Sequence, residues 1–197
     1  MKKYLVMVVA AMMATMNVNA QNENLKHEIS VSYGSLSNSD WISIFEDILT
    51  VPFSGSVKRE NETFYGPIGV EYMYRLDKTI SVGGMALYGH RGYDLYEETS
   101  NGKTARGKMT DNYFTVMPAI KFTWLNKSHF GLYSKAALGA TLRSEKNDDI
   151  HYSESAVHIN WHATLIGVEF GGTQFRGFCD FGFGEQGVLS AGLRYKF

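Results

Sequence analysis

Cysteine is all but missing: Cys179 is the 1 such residue among 197, which rules out an intramolecular disulfide and a cysteine-based metal cluster. Proline is scarce, 3 residues against 20 glycines. Beyond residue 20 no apolar run reaches the roughly 20 residues that a membrane-spanning helix requires. No basic stripe and no aromatic platform accompanies positive charge, so nucleic-acid binding is not expected.

What the chain does have, at its start, is an export signature. Lys2 and Lys3 form a positive segment, residues 4–15 an apolar one, and Val18-Asn19-Ala20 a small-residue cleavage site. Residues 1–20 are therefore expected to be a signal peptide and 21–197 the mature domain. No cysteine follows the site, so lipid attachment there is not indicated. Losing Lys2 and Lys3 reduces the 19 basic residues to 17, against 20 acidic ones, for a formal charge of −3. An exported chain rich in Gly, Tyr and Phe that has no spanning helix is either soluble or a β-barrel.

Alternation of apolar and polar residues, the period of a strand, recurs along the mature chain at 27–34, 64–76, 80–90, 109–125, 130–143, 157–170, 175–184 and 187–197. That is eight strands, an even number. Short turns at 77–79, 126–129 and 171–174 alternate with longer polar stretches near 35–63, 91–108 and 144–156, as in an up-and-down barrel. Pro118 inside the fourth strand calls for a bulge. In the sixth, parity reverses between Leu165 and Ile166, so a second bulge is expected near Gly167. Hairpin lengths place Phe170 opposite Phe175, and Phe175 opposite Phe197. One helical pattern interrupts the series at 40–50, where Trp41, Ile44, Phe45, Ile48 and Leu49 share a face. A helix there is expected to pack over the barrel rim; the other reading is an interfacial helix lying in the lipid headgroup region or contacting a partner.

Parity also sorts the charges. Glu28, Glu71, Arg75, Lys121, Lys135, Arg143, Glu169, Arg176, Asp180, Arg194 and Lys196 fall on the side opposite the aromatic and aliphatic residues. A Lys or Arg facing lipid costs about 2–4 kcal/mol at the bilayer midplane, so these eleven should point inward. An eight-stranded interior is just wide enough for side chains to fill, and opposite charges can pair across it: Glu28 with Arg194 or Lys196, Glu169 with Arg176. Tyr74, Trp124, Phe130, Phe170, Phe175 and Tyr195 gather on the apolar side near one end, like an interfacial girdle. A soluble lipocalin-like barrel is the alternative fold, but it needs an apolar interior and a charged exterior.

The last strand ends in Leu193, Tyr195 and Phe197 on its apolar face, with a carboxy-terminal aromatic. This pattern, together with the eight alternating segments, resembles the small eight-stranded outer-membrane barrels of Gram-negative bacteria typified by the OmpA transmembrane domain and OmpX. The resemblance covers residues 21–197. It implies outer-membrane residence, contact with outer-membrane lipid and lipopolysaccharide, and folding by the outer-membrane barrel assembly machinery, which would read Leu193, Tyr195 and Phe197. No peptidoglycan-binding domain is expected after Phe197.

Chemistry is sparse. His158 and His162 lie about 13 Å apart along a strand, too far to chelate one ion. Glu145, Asp148 and Asp149 lack EF-hand spacing and read as a solvated loop. No catalytic residue, metal or cofactor is expected. The leading function is structural or surface-interacting, displayed through the outward loops to a surface ligand or protein partner. A narrow channel or lipid-binding barrel is the alternative, and a lipid-modifying enzyme ranks below both.

Overall fold

The computed structural model describes residues 25–37, 57–99, 102–147 and 152–197. The expected signal peptide and the helix at 40–50 lie outside the described residues. Eight strands, β1 (His27–Ser35), β2 (Val57–Arg75), β3 (Ile80–Thr99), β4 (Gly102–Asn126), β5 (Phe130–Asn147), β6 (Tyr152–Gly171), β7 (Phe175–Gly184) and β8 (Leu189–Lys196), form a closed antiparallel barrel in sequence order. The seam closes where β1 pairs with β8, from Glu28 opposite Lys196 to Ser35 opposite Leu189. Closure leaves the lower barrel no edge with unpaired backbone groups.

Period-two geometry sets the inside and the outside. On β1, Ile29, Val31 and Tyr33 are exposed while Glu28, Ser30 and Ser32 are buried. The same alternation runs through Phe114, Val116 and Phe122 against Thr115, Met117 and Lys121 on β4. Part of the interior is apolar and rich in methionine: Met73, Met85, Leu87, Met117, Ala119 and Ala137 pack together. Unbranched methionine suits an irregular gap between charged neighbours.

Several details depart from the sequence expectations. The strands are longer and the polar connections shorter: 57–63, 91–99, 102–108, 144–147 and 152–156 are paired strand, not loop. Ladder hydrogen bonds involve only the backbone, so a polar stretch pairs without showing an apolar alternation. Tyr65, expected inward, is 57% exposed. The β2–β3 register shifts between Tyr65 and Ile68, and the irregularity at Gly66-Pro67 reverses parity above it.

Pro118 makes no bulge. The β4–β5 register is the same at Val116 opposite Ala140 and Ala119 opposite Ala137, and the shift falls instead between Thr123 and Leu125. The rungs at 117 and 118 drop out of that ladder, while Pro118 stays opposite Gly84 on the β3 side. Its missing N–H therefore affects one neighbour only. On β6 the irregularity does occur, between Thr164 and Ile166, and puts both Leu165 and Ile166 outside.

Both hairpin registers around β7 slide by two residues. Phe170 faces Gly177, and Phe175 faces Tyr195. In the first hairpin Gly171, at φ 138°, ends the strand one residue later. In the second, Gly182 N–H bonds the Val188 carbonyl at 3.0 Å, so the connection is longer than the expected 185–187 turn. Gly184 (φ 123°) and Gly187 (φ 103°) take the left-handed conformations that glycine permits. They fold Glu185 and Gln186 back into the barrel, where both are buried.

Candidate functional site

The candidate site is the lumen. β8 carries Arg194 and Lys196 on its inner face, and β1 brings Glu28 beside them. Both candidate partners of Glu28 lie within ion-pair reach, Lys196 at 3.6 Å and Arg194 at 3.7 Å. Lys121 at 2.5 Å and Arg75 at 3.2 Å complete four cations around this carboxylate. Glu169 meets Lys196 at 2.6 Å, Arg176 at 2.9 Å and Arg194 at 3.0 Å.

Arg194 is the hub. Fully buried, it donates to Glu169, to Glu71 at 3.2 Å and to the Tyr133 hydroxyl at 3.3 Å. Its guanidinium stacks over the rings of Tyr133 and Phe178, 4.8 and 4.6 Å from their centroids. Lys135 extends the network upward, donating to Glu71 at 2.6 Å, Gln186 at 2.9 Å and Asp180 at 3.4 Å. Tyr133 also donates to Asp180. Such charges are tolerated in a low-dielectric interior only when paired and hydrogen-bonded.

Above this level the polar ladder continues. Gln186 donates to Ser32 at 3.0 Å, and Asn160 donates to Glu185 at 2.8 Å and Thr141 at 2.9 Å. Arg143 pairs with Asp111 at 3.3 Å and Glu145 at 3.5 Å, nearer the open end. His162 and His158 point inward on β6; His162 Nε2 contacts the Thr164 hydroxyl at 3.1 Å. Among the described residues no group of three His, Cys, Asp or Glu side chains is placed to hold a metal ion.

Side chains thus fill the lumen at the level of Lys121, Lys135 and Arg194. Leu193, Tyr195 and Phe197 sit outside the barrel, with Tyr195 stacked on Phe197 at 5.7 Å and Phe197 on His27 at 5.3 Å. Sequence reasoning missed Tyr133, Asp111, Glu185 and Gln186 as members of the network. Tyr133 and Asp111 lie at inward parity, and that signal could have found them. Glu185 and Gln186 belong to a turn, where parity says nothing.

At the end formed by the 76–79, 127–129 and 172–174 turns, Asp77 Oδ1 accepts from Thr79 N–H at 2.6 Å and Ile80 N–H at 2.8 Å. These two backbone donors hold its carboxyl below the ordinary value of 3.8.

No protein-family model matches the chain, and no curated protein matches it in sequence. Among solved structures it is similar to the N-terminal β-barrel domain of Pseudomonas aeruginosa OprF, with TM-score 0.47 and 13% identity over 87% of this chain and 97% of that one. It is also similar to Ail, the attachment invasion locus protein of Yersinia pestis. For Ail by itself the TM-score is 0.44, at 15% identity over 87% and 97% of the two chains. For Ail in complex with the heparin analogue sucrose octasulfate it is 0.43, at 15% identity over 88% and 100%.

Proposed function

We propose that this chain is an outer-membrane β-barrel protein with a side-chain-filled lumen and a structural, surface-interacting role. The observation that carries the reading is its inverted polarity. Ion pairs occupy the inside, and the outer surface from Ile29 to Leu193 is a belt of aliphatic and aromatic side chains. In water that belt would be an apolar patch far beyond what a soluble monomer exposes. In a bilayer it is the required surface.

Strand lengths support a reading of which part interacts. A spanning strand needs about 9–11 residues, which β1 and β7 meet at 9 and 10 and β8 falls one short of at 8. Strands β2 to β6 have 18–25 residues and so continue well past the bilayer as a five-stranded wall. Among the described residues β2 pairs with β1 only up to Ile68, and β6 with β7 only from His162, so past these points neither flank of the wall has a described neighbouring strand. A strand flank of this kind is a ready template for a partner strand. With the short turns at the periplasmic end, this wall projects outward toward lipopolysaccharide, a host surface or a partner protein. Export through residues 1–20 and assembly through Leu193, Tyr195 and Phe197 fit the same reading.

The test has two readouts on cells expressing the chain. Unboiled protein from the outer-membrane fraction should migrate differently from boiled protein, and the difference should diminish when Phe197 is deleted. Replacing residues 92–109 by a short turn should retain the heat-dependent mobility while abolishing adhesion to surfaces that intact cells bind. Recovery of soluble protein from the periplasm, or stable single-channel openings in planar bilayers, would overturn the reading.

A further inference from the structure

We infer that the turn end of the barrel is a binding site for a phosphate-bearing anion. A cavity of about 400 Å³ opens there, inside the ring of turns and not on the outer belt. Its size is that of small-ligand pockets. Lys26, Arg75, Lys127, Arg176 and Lys196 line it, and among the described residues the one lining carboxylate is Asp77, whose Oδ1 is engaged by backbone donors.

The imbalance continues beneath the cavity floor. Five cations, Arg75, Lys121, Arg176, Arg194 and Lys196, converge on two carboxylates, Glu28 and Glu169. Glu71 shares Arg194 and also accepts from Lys135, which in turn meets Asp180. Among the described residues six cations thus meet four carboxylates, and an anion in the cavity would offset the excess. Excess positive charge in a recessed, poorly screened site raises the affinity for such a ligand.

The walls are fixed in advance. Arg176 donates to Gly172 O at 3.0 Å, Lys127 O at 2.7 Å, Asn126 Oδ1 at 3.0 Å and Glu169, tying the 127–129 and 172–174 turns together. Its donors are committed to holding the shape. Arg75 differs: only Nη2 bonds Glu28, at 3.2 Å, and the side chain is 16% exposed. The rest of its planar donor fork is free to take a second acceptor, and such a fork suits phosphate oxygens. Lys26 and Lys127 are exposed at the rim and supply mobile point charges. Phosphate is thus favoured over a lone carboxylate, because it offers several oxygens and up to two charges to a fork and two ammonium groups.

Phosphate has two sources at this position, a soluble phosphorylated solute entering along the barrel axis or a phospholipid headgroup bending over the rim. The assignment of this end to the periplasm rests on the proposed membrane reading; the binding chemistry does not. The experiment uses the folded full chain in nonionic detergent, with heat-dependent gel mobility as the check on folding and membrane character. Calorimetric titration with pyrophosphate is compared between the native protein and the Lys26→Gln/Lys127→Gln variant, whose lesions lie outside the lumen network. Lys127→Gln alone is the second variant should the first fail to fold. In parallel, native mass spectrometry follows retention of phosphatidylglycerol against phosphatidylcholine.

Saturable pyrophosphate binding, weakened at least tenfold in the variant and steeply reduced by salt, supports the site with a soluble source. No pyrophosphate binding, but phosphatidylglycerol retained by the native protein and lost from the variant, supports it with a headgroup source. Absence of both, or binding unchanged by the substitutions in a protein that retains its mobility shift, overturns the inference while leaving the membrane reading intact.

Discussion

Replacing Arg194 by Met removes the hub of the lumen while approximately preserving its volume. Removing one partner of a buried ion pair costs about 3–5 kcal/mol, because the other charge is left without compensation. Here each carboxylate keeps another cation: Glu28 has Lys121 at 2.5 Å, Glu71 has Lys135 at 2.6 Å, and Glu169 has Lys196 at 2.6 Å. The loss should therefore sit near the low end, about 3 kcal/mol. Contacts of the new thioether with the Tyr133 and Phe178 rings offset part of the lost cation–π attraction. With a urea slope of about 2 kcal/mol per molar, the unfolding midpoint should fall by about 1.5 M. The assay is urea unfolding in lipid vesicles, followed by tryptophan fluorescence and by unboiled gel mobility. Lys26→Met is the contrast. That side chain is exposed at the rim of the barrel, outside the lumen network, so its loss should stay below about 1 kcal/mol. An unchanged or higher midpoint for Arg194→Met, or equal shifts in the two variants, would refute the view that the buried pairs around Arg194 hold the barrel.

Three further outcomes are expected. A Cβ at Gly167 would lie 2.4 Å from the Tyr133 ring and 2.8 Å from Asp180 Oδ1, so Gly167→Ala should lose about 1–3 kcal/mol by overpacking. Gly89→Ala, whose new Cβ meets nothing nearer than 4.0 Å, should leave the urea midpoint within error; a reversal of this order would discredit the packing of the Tyr133 ring on β6. Cys179 is exposed on the apolar outside, so a nitroxide attached there in vesicles should be relaxed by oxygen and shielded from a water-soluble nickel chelate, and the opposite ranking would place that surface in water. Because the Asp77 carboxyl is held below 3.8 by Thr79 and Ile80 N–H groups, its stabilisation of the turn is complete above that pH and is lost as pH falls through the lowered folded value. Carbon NMR titration of Asp77 checks this, and a midpoint at or above 3.8 would contradict it.

Parity was the legible part of the fold. Each of the eleven charged positions assigned inward from sequence has an inward side chain in the barrel, because a one-residue error would exchange the two faces of a whole strand. Tyr65 escaped because the irregularity at Gly66 and Pro67, just below it, reverses the alternation. The height of the wall was illegible for a related reason: ladder hydrogen bonds involve only the backbone, so a polar stretch lacks the alternation that marks a strand while keeping its ladder. The missed lumen groups Glu185 and Gln186 show a third limit. A turn has no period, and nothing local says whether it folds over a lumen or away from it.

Register was less legible than parity, and the energetics explain the size of the errors. A slip of one residue on β8 would turn both Arg194 and Lys196 onto the apolar outside, which in the proposed bilayer setting costs about 2–4 kcal/mol for each charge near the midplane, and would take these cations from Glu28, Glu71 and Glu169. A slip of two keeps every charge inside. The sequence-based registers of the two hairpins around β7 missed by two, the smallest error that parity permits. What separates registers of equal parity is the pairing itself: only with Glu28 opposite Lys196 and Ser30 opposite Arg194 do the cations on β8 reach the carboxylates of β1, β2 and β6 together. Apolar side chains in the same lumen would tolerate such slips with less loss, since their contacts have little directional preference. The charges that make the interior costly to desolvate thus also select the register in which the barrel closes.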